Sequence, residues 1–588
     1  MAQPRPLAPP LAEVELPARN VRALLERNAM DGGTRDRPAL HFGDDSWTHA
    51  ELLEESRRFA ALLAARLDPS RPPHVGVLLD NTPDYVFTLY GAGLLGAVVV
   101  GLNHTRRDEH LGADIANADV QFVLTELCHL SLLEPALTHV ALPGGVLVSE
   151  RFADGEDPAV TLSHSLGDSL TKALDEVPPV KLPECDAQTL WTLLFTSGTA
   201  GAPKAVRCTQ HRLLTTGNRM STMLALGHDD VGYAAMPLFH TNSLMSGLAP
   251  ALVAGASLSL ARRFSASRFL PDVRRYGVTW FNYTGKLLAY LLATPARADD
   301  AENTLRIAFG NEGSPHVVAA AAARFGINIV DVFGSTEGSI ALDRAGGVPP
   351  GSVGRLREGI AVVDPDGHDR APARFDAAGQ LLNPAECVGE LVNKLGVGPF
   401  EGYYKNDEAM SRTTRNGWYW SGDLAYVDDD CWVYFAGRAG DWLRVDGENF
   451  TAAPIESIIS RHPDVMLASV YGVPDADAGD QVMAALVLRT GASFDGARFA
   501  GWIDEQADMT PKWRLRYVRI CTSLPVTPTN KVLTRVLVHE KFRADRIRGD
   551  ELFVRPRGAD AYVRFTAQDE TALRTAFSVA GRSRFWDL

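Results

Sequence analysis

Residues 193–204 read Leu193-Leu194-Phe195-Thr196-Ser197-Gly198-Thr199-Ala200-Gly201-Ala202-Pro203-Lys204. The apolar start predicts a buried strand, and the remainder predicts a loop of hydroxyls and glycines that a lysine closes. Glycines let backbone N–H groups approach phosphate oxygens, hydroxyls add donors, and the ammonium neutralises charge. The stretch therefore indicates a phosphate-binding loop, although taken alone it also fits a surface turn. It is not a Walker A loop, because GxxxxGK[ST] cannot be placed on it.

The length and charge of the chain set limits on its domains and partners. Its 588 residues are too many for one hydrophobic core, which predicts two or more domains. The 58 Lys and Arg residues stand against 72 Asp and Glu residues, a formal charge of −14. This balance argues against a nucleic-acid partner, since affinity for phosphate backbones comes mainly from clustered basic residues. It leaves room for a local cationic pocket, and only nine of the 58 basic residues are lysines, so each lysine stands out.

Composition also bears on the cellular compartment. The six cysteines are scattered without a CxxC pair, which predicts free thiols in a reducing compartment. The amino terminus holds no apolar core of a signal peptide, so we expect no export. Two uncharged stretches, 85–103 and 238–261, resemble membrane spans, but a glycine breaks each of them before a run of strand formers. We therefore expect buried helix–turn–strand units, no integral membrane segment and a cytoplasmic protein.

Helical and strand patterns alternate through the first part of the chain. Thr48 and Glu51 have capping-box spacing, which predicts the start of a helix. Short apolar strands are predicted at 74–79, 120–124 and 327–332, with helical stretches between them. This alternation is typical of an α/β sheet.

Beyond residue 418 the pattern changes to short paired strands. Residues 418–420 and 424–427 predict two of them, and residues 432–435 predict a third after the turn Asp428-Asp429-Asp430. A compact βα pattern then runs to about residue 542.

Five further motifs follow the loop of residues 193–204 in a fixed order. They are Gly310-Asn311-Glu312-Gly313, Phe333-Gly334-Ser335-Thr336-Glu337-Gly338, Trp420-Ser421-Gly422-Asp423, Gly437-Arg438 and Leu524-Pro525-Val526-Thr527-Pro528-Thr529-Asn530-Lys531-Val532. Taken alone, Thr336-Glu337 fits a plain helix cap and Lys531 fits a solvated surface lysine. Together the six motifs resemble the adenylate-forming superfamily of acyl-CoA synthetases, peptide-synthetase adenylation domains and luciferases. The resemblance covers about residues 45–545.

The resemblance implies an ATP site that includes magnesium. Lys204 and the phosphate loop would position the triphosphate, and Thr336 would contact the α-phosphate. Glu337 would hold Mg²⁺, as suits a hard carboxylate oxygen. Asp423 and Arg438 would bind the ribose, and the loop after Gly310 would lie against adenine.

The resemblance also implies a moving lysine. Lys531 would swing into the site to stabilise charge as the adenylate forms, a task suited to a compact point charge on a flexible stem. The hinge position, often Asp or Lys in the wider family, is Gly440, which allows wide φ/ψ excursions. In the second step the Gly447-Glu448-Asn449 loop would face a pantetheine thiol.

The predicted site residues fall into four groups. The catalytic residues are Lys531, Thr336, Glu337 and Lys204; the nucleotide-binding residues are Thr196, Ser197, Gly198, Thr199, Gly201, Lys204, Asn311, Glu312, Gly313, Phe333, Gly334, Ser335, Thr336, Asp423, Arg438 and Lys531; the acid pocket is His240, Asn282, Tyr283 and Gly310; and the metal ligand is Glu337. His240 would act as the gate of the acid pocket, although a histidine packed at a helix start is the plainer interpretation.

The implied fold is α/β. A large N-terminal domain (1–437) of stacked α/β sheets with a β-barrel-like part would precede a small mobile α+β domain (438–588), with a hinge near residue 440 and an extension from about residue 545. Residues 438–449 look most like the fatty-acid-transport-protein or very-long-chain acyl-CoA synthetase branch. The amino-terminal membrane segment of its animal members is missing, so the chain looks like a soluble bacterial-type relative.

The implied function is a two-step ligase. It would form acyl-AMP and pyrophosphate from ATP and a fatty or aromatic acid, and then transfer the acyl group to CoA. ATP, Mg²⁺, CoA and a small-molecule acid are the expected ligands, and a homodimer is a further expectation. One alternative is an adenylate former with another acceptor, such as a carrier-protein or amide ligase or a nitrite-activating diazotase. Another is a nucleotide-sensing scaffold that has lost catalysis.

Overall fold

The structure is a computed structural model that describes residues 16–587 except 153–166, 197–203, 314, 343, 345–347, 350, 377–380, 439–441, 446–447, 477–478, 528–529 and 548. Strands and helices are numbered separately in chain order. The predicted capping box is confirmed, because the Glu51 N–H donates to the Thr48 hydroxyl at 3.2 Å and the Thr48 N–H donates to the Glu51 carboxylate at 2.8 Å.

Two seven-stranded sheets, largely parallel, dominate the first part of the chain. The first contains β1 (Pro38–Phe42), β2 (Asp45–Thr48), β10 (Val231–Ala234), β11 (Ser257–Leu260), β12 (Trp280–Thr284), β13 (Ile307–Asn311) and β14 (Asn328–Asp331), in the order β14-β13-β12-β10-β11-β1-β2. The second contains β3 (His74–Leu78), β4 (Val98–Gly101), β5 (Phe122–Glu126), β6 (Val146–Ser149), β7 (Asp168–Ser169), β8 (Leu190–Thr196) and β9 (Lys204–Thr209), in the order β7-β6-β5-β3-β4-β8-β9.

Helices cover both sheets and link them. They are α1 (Val21–Met30), α2 (His49–Arg66), α3 (Pro83–Leu95), α4 (Asp108–Asn117), α5 (Leu130–Ala136), α6 (Leu170–Glu176), α7 (Gln210–Met223), α8 (Thr241–Ser243), α9 (Ala249–Ala254), α10 (Ala266–Tyr276), α11 (Gly285–Ala293) and α12 (Pro315–Phe325). A π-helical turn, Leu244–Leu248, joins α8 to α9, and a 3₁₀ turn, Leu127–His129, precedes α5. One buried cluster combines residues of both sheets with α2, α3, α7 and α9, so these helices lie between the sheets. Every described residue of β3, β4 and β5 is buried, as expected for parallel strands covered on both faces.

A third, antiparallel sheet follows. It contains β15 (Ser352–Arg355), β16 (Ile360–Val363), β17 (Gly389–Asn393), β18 (Thr414–Arg415), β19 (Trp418–Val427) and β20 (Trp432–Arg438), accompanied by α13 (Pro384–Cys387) and α14 (Asp407–Thr413). The prediction of separate strands at 418–420 and 424–427 was wrong, because β19 is one strand of 10 residues. A register shift between Leu424 and Ala425, after Gly422 with φ +74°, lets the strand bend without ending.

The last part of the chain builds one mixed sheet beside a two-stranded ribbon. The ribbon is β21 (Trp442–Val445) with β22 (Glu448–Thr451); the sheet is β23 (Val465–Pro474), β24 (Asp480–Leu488), β25 (Tyr517–Ile520), β26 (Glu551–Val554) and β27 (Val563–Arg564); the helices are α15 (Ala452–Ile459), α16 (Gly496–Asp504), a 3₁₀ turn (Pro511–Trp513), α17 (Thr534–Glu540), α18 (Ala567–Val579) and α19 (Ser583–Asp587). Beyond residue 545, β26 extends this sheet, and Phe577 and Trp586 pack with Phe542 in its core.

Two predictions about the thiols and the apolar stretches are confirmed. All six cysteines are unpaired. In each apolar stretch a helix ends at a glycine with positive φ, Gly96 (81°) or Gly255 (65°), before a buried strand. Within the described ranges, the structure contains no helix that is long and apolar enough to cross a bilayer.

Candidate active site

The carboxyl ends of three adjacent parallel strands form the centre of the candidate site. Tyr283 on β12 lies opposite Gly310 on β13, and Gly310 lies opposite Asp331 on β14. Because the strands are parallel, the segments that leave them, including the predicted loops after Gly310 and Asp331, begin at the same edge of the sheet. This edge holds the predicted pocket residues Asn282, Tyr283 and Gly310.

Gly310 is at its position for a steric reason. A Cβ atom placed there would lie 2.3 Å from the Tyr283 carbonyl oxygen and 2.6 Å from its ring. Any larger residue would therefore push β12 and β13 apart, so the glycine sets the spacing of the pocket wall.

Asp331 ties the loop of residues 310–313 to the pocket wall. Its Oδ2 accepts the Tyr283 hydroxyl at 2.7 Å and the Gly313 N–H at 2.9 Å. Burial raises the pKa of this carboxyl to about 6 against an ordinary value of 3.8. Asp331 was not among the predicted site residues, because its role arises from contacts that only the fold creates.

The predicted triphosphate and metal residues meet at Tyr403. The Tyr403 hydroxyl donates to Glu337 Oε1 at 2.7 Å. The Lys204 Nζ atom lies 5.2 Å from the centroid of the same ring, a cation–π distance. Burial and the neighbouring Glu337 carboxylate raise the pKa of the Tyr403 hydroxyl, which keeps it a proton donor at neutral pH. Tyr403 thus links the predicted metal ligand with the predicted phosphate-binding lysine.

The backbone around Thr336 is held by a second residue that the sequence analysis missed. The Arg212 guanidinium, on α7, donates to the Thr336 carbonyl oxygen. The Gly338 N–H donates to the Ser335 hydroxyl at 3.3 Å, and the Phe333 ring lies 6.2 Å from that of Phe435. The segment 333–338 is therefore fixed by both a helix and the third sheet.

The two residues predicted to bind the ribose lie on neighbouring strands. Asp423 on β19 lies opposite Arg438 on β20 and is 5% exposed. The Asp423 N–H donates to the Ser421 hydroxyl at 3.1 Å, and that hydroxyl donates to the Leu391 carbonyl at 2.6 Å. Serine therefore supplies the hydroxyl that holds this bend.

Lys531 reaches the centre of the site from the last part of the chain. Its Nζ atom donates to Glu312 Oε1 at 3.0 Å, across 219 positions of sequence. A tight turn presents it, because the Thr527 N–H donates to the Lys531 carbonyl at 2.7 Å and the Lys531 N–H donates to the Thr527 hydroxyl at 3.0 Å. The Lys286 amine interacts electrostatically with Lys531 and Glu312, and burial lowers its pKa to about 8. The predicted late lysine and the predicted adenine loop are thus in direct contact.

The pocket residues form a chain of side-chain amides. Asn242 Nδ2 donates to the Tyr283 carbonyl at 3.3 Å, and Asn282 Nδ2 donates to Asn242 Oδ1 at 2.5 Å. His240 begins the turn that carries Asn242, and burial lowers the pKa of its imidazole to about 3, so the ring is neutral at physiological pH. Asn242 ends the segment 237–242, which resembles the lining of the acid pocket in the family, but its contacts with Tyr283 and Asn282 arise only in the fold.

Several predicted residues lie outside the described part of the chain. They are Ser197, Gly198, Thr199 and Gly201 of the phosphate loop, the hinge residue Gly440, and Gly447. The two ends of the phosphate loop are described, and there Thr196 pairs with Lys204 across β8 and β9.

Comparison with known proteins identifies the family. The AMP-binding enzyme family matches residues 25–404, and the AMP-binding enzyme C-terminal domain matches residues 454–531. The chain belongs to the AMP-binding enzyme family. The predicted membership of the adenylate-forming superfamily is confirmed.

This AMP-binding enzyme has similar relatives along nearly its whole length. It is 43% identical to Steroid-22-oyl-CoA synthetase of Rhodococcus jostii (strain RHA1), over 96% of this chain and 99% of the relative. It is 44% identical to the Medium/long-chain-fatty-acid–CoA ligase FadD17 of Mycobacterium tuberculosis, over 86% of this chain and 94% of the relative. Long-chain fatty acid transport protein 2 of Rattus norvegicus is 29% identical over 91% and 87% of the two chains, which agrees with the predicted branch.

A solved structure confirms the fold of this AMP-binding enzyme. A benzoate CoA ligase from Burkholderia xenovorans LB400 superposes with a TM-score of 0.73 at 23% identity, over 88% of this chain and 99% of that one. The α/β class, with a large first part and a smaller second part, is therefore confirmed. The relatives also confirm the prediction of an AMP-forming acyl-CoA ligase, with ATP and CoA as its small-molecule ligands.

Proposed function

We propose that this AMP-binding enzyme activates a fatty acid, or the carboxylated side chain of a larger apolar molecule, as acyl-AMP and transfers the acyl group to CoA. The observation that carries the proposal is the contact of Lys531 with Glu312 beside the predicted nucleotide loop. It supports a state in which the late lysine stands ready for adenylate formation. ATP loses pyrophosphate in the first step, and the pantetheine thiol displaces AMP in the second.

The chain's own residues suit an adenine nucleotide. Asn311 Oδ1 is buried and, among the residues that the structure describes, has no hydrogen-bond partner. A buried acceptor without a partner costs about 1–3 kcal/mol, and the adenine amino group would satisfy it. Lys204 would neutralise the triphosphate, while Asp423 and Arg438 would orient the ribose. In these roles the residues would bring the α-phosphorus beside the segment 333–338.

Glu337 fits the role of a magnesium ligand. Mg²⁺ is usually held in enzymes by one or two carboxylates together with substrate phosphates, so a single carboxylate that shares Tyr403 with Lys204 is sufficient. The Tyr403 hydroxyl holds Oε1 of that carboxylate in place. When bound, the ion would neutralise phosphate charge. Thr336 and Lys531 would orient the carboxylate and the α-phosphate for attack.

The second step requires Lys531 to leave Glu312. We assign residues 1–437 and 438–588 to two domains that rotate about Gly440, which would withdraw Lys531 and bring residues 447–449 to the acyl-adenylate. Both side chains of the ion pair between Lys531 and Glu312 are exposed, so the loss of this pair costs at most about 1 kcal/mol. Such a motion would gate the reaction as a lid does.

The relatives guide the choice of acid. One is named for a steroid-22-oyl group and another for medium and long-chain fatty acids. In both kinds of acid the carboxyl group is attached to a saturated carbon of an apolar molecule, which supports such an acid here over an aromatic one. ATP and CoA as substrates support a cytoplasmic location, and the homodimer remains a prediction.

A pyrophosphate-release screen tests this function. Fatty acids of graded length, side-chain acids of sterols, benzoate, amino acids and nitrite are each supplied with ATP and Mg²⁺, with and without CoA. We expect release with fatty or sterol side-chain acids and formation of an acyl-CoA when CoA is present. Release with nitrite alone, or acyl-AMP that CoA does not consume, would contradict the proposal.

A further inference from the structure

One buried acceptor in the acid pocket is left without a donor. Asn282 is 2% exposed, and its Oδ1 atom has no hydrogen-bond partner in the described portion of the chain. Asn282 lies on β12, two positions before the strand ends at the site. Leaving such an atom unpaired costs free energy, so native proteins normally pair it with protein, water or ligand.

The orientation of this amide is fixed by its neighbours. The Tyr283 carbonyl oxygen can only accept, so the Asn242 amide must present Nδ2 to it and Oδ1 to Asn282. Asn242 Oδ1 can likewise only accept, so Asn282 must present Nδ2 to it. A flip of either amide would put two acceptors face to face. Asn282 Oδ1 is therefore the amide atom that does not face Asn242, and it can accept a hydrogen bond from a ligand.

The segment beside this acceptor contains the π-helical turn Leu244–Leu248. A Cβ atom on Gly247, in the π-helical turn, would lie 3.4 Å from Asn282 Oδ1, so the glycine leaves space in front of it. Turns of π-helix occur often at functional sites. The adjoining turn 240–243 holds three more buried polar atoms that lack a partner among the described residues: His240 Nε2, Thr241 Oγ1 and Ser243 Oγ. Together with Asn282 Oδ1, these three atoms form a polar wall of the predicted acid pocket.

We propose that this wall, with Asn282 Oδ1 as its acceptor, binds a hydroxyl group on the acyl chain. The favoured acids are then hydroxylated ones, and Asn282 is a specificity-determining residue. A hydroxyl group suits a wall that offers both an acceptor and donors. Its proton would bond to Asn282 Oδ1, and its oxygen could accept from a donor such as His240 Nε2. The proposal rests on the proposed function.

The test compares decanoic acid with the set of its monohydroxylated derivatives in ATP-dependent pyrophosphate release. For at least one hydroxyl position we expect kcat/KM to exceed that of decanoic acid about tenfold, chiefly through a lower KM, because one satisfied hydrogen bond is worth about 1.4 kcal/mol. Equal kcat/KM values at every hydroxyl position would overturn the inference while leaving the ligase function intact. Release with none of these acids and with none of the sterol side-chain acids would overturn the ligase function itself.

Two variants and a control locate the effect. Asn282→Leu removes the acceptor, and Gly247→Ala fills the space before it while keeping the amide pair. In each variant the kcat/KM for the preferred hydroxylated acid, divided by that for decanoic acid, should fall to about one. Ser259→Ala, on β11 outside the pocket, also removes a buried hydroxyl without a partner in the described structure and should leave the ratio unchanged. A ratio that persists in Gly247→Ala, or that is lost in Ser259→Ala, would overturn the role of Asn282.

Discussion

Tyr403 connects two predicted ATP-binding side chains through different parts of one residue. Its hydroxyl holds Glu337 and its ring faces Lys204. Tyr403→Phe keeps the ring and removes the hydroxyl, so we expect kcat/KM for ATP to fall about tenfold and the required Mg²⁺ concentration to rise. The measurement is pyrophosphate release over a Mg²⁺ titration.

A neighbouring tyrosine provides the matched control for that variant. The Tyr404 hydroxyl donates to Asp119 at 2.6 Å and makes no described contact with Glu337. Tyr404→Phe should therefore leave the Mg²⁺ dependence unchanged. An equal effect of both substitutions would show that general destabilisation, and not the hold on Glu337, is responsible.

Asp331 should give the stability of the protein a pH dependence. Because its pKa is raised in the folded state, its contribution to stability is fully present below about pH 3.8 and is lost as pH rises through about 6. Relative to Asp331→Asn, the wild type should lose about 1–3 kcal/mol over this window, since one pKa unit equals about 1.4 kcal/mol and solvent screens part of it. Urea denaturation at pH 4, 5, 6 and 7 measures the difference. Parallel stability curves for the two proteins would contradict the assignment.

At the scale of single elements, β12 and β13 depend on Gly310 for their spacing. Gly310→Ala places a methyl group against the Tyr283 carbonyl, and overpacking of this kind costs about 1–3 kcal/mol or more. We expect a lower Tm and reduced pyrophosphate release, because the pocket wall and the nucleotide loop shift together. Gly227→Ala is the control, as no described atom lies within 4 Å of its Cβ position. Equal melting of both variants would refute the steric role.

Elements whose residues show a clear local pattern were predictable from the sequence. The capping box at Thr48 and the helix–glycine–strand units at 85–103 and 238–261 are local patterns, and the structure contains them. The continuous strand β19 was not predictable, because Gly422 resembles a turn until the partner strands hold it in register. The π-helical turn was not predictable either, because its apolar sequence fits an ordinary helix.

At the scale of the whole molecule, the motif order predicted which segments meet but not what joins them. The contact of Lys531 with Glu312 follows from two motifs. Tyr403, Asp331 and Arg212 carry no local signal, because each acts on a partner that only the tertiary fold brings near. The chain beyond residue 545 is likewise an integral part of the last sheet.

We propose that Lys531 serves adenylate formation alone and leaves the site before thioester formation. Lys531→Ala tests it when the two half-reactions are assayed separately, as pyrophosphate release from ATP and acid, and as acyl-CoA formation from supplied acyl-AMP. Lys512→Ala, on the 3₁₀ turn Pro511–Trp513, is the control. We expect Lys531→Ala to lower the first rate at least about a hundredfold, because it removes a preorganised charge that stabilises the transition state, while the second rate stays within about twofold. Equal loss of both half-reactions would contradict it.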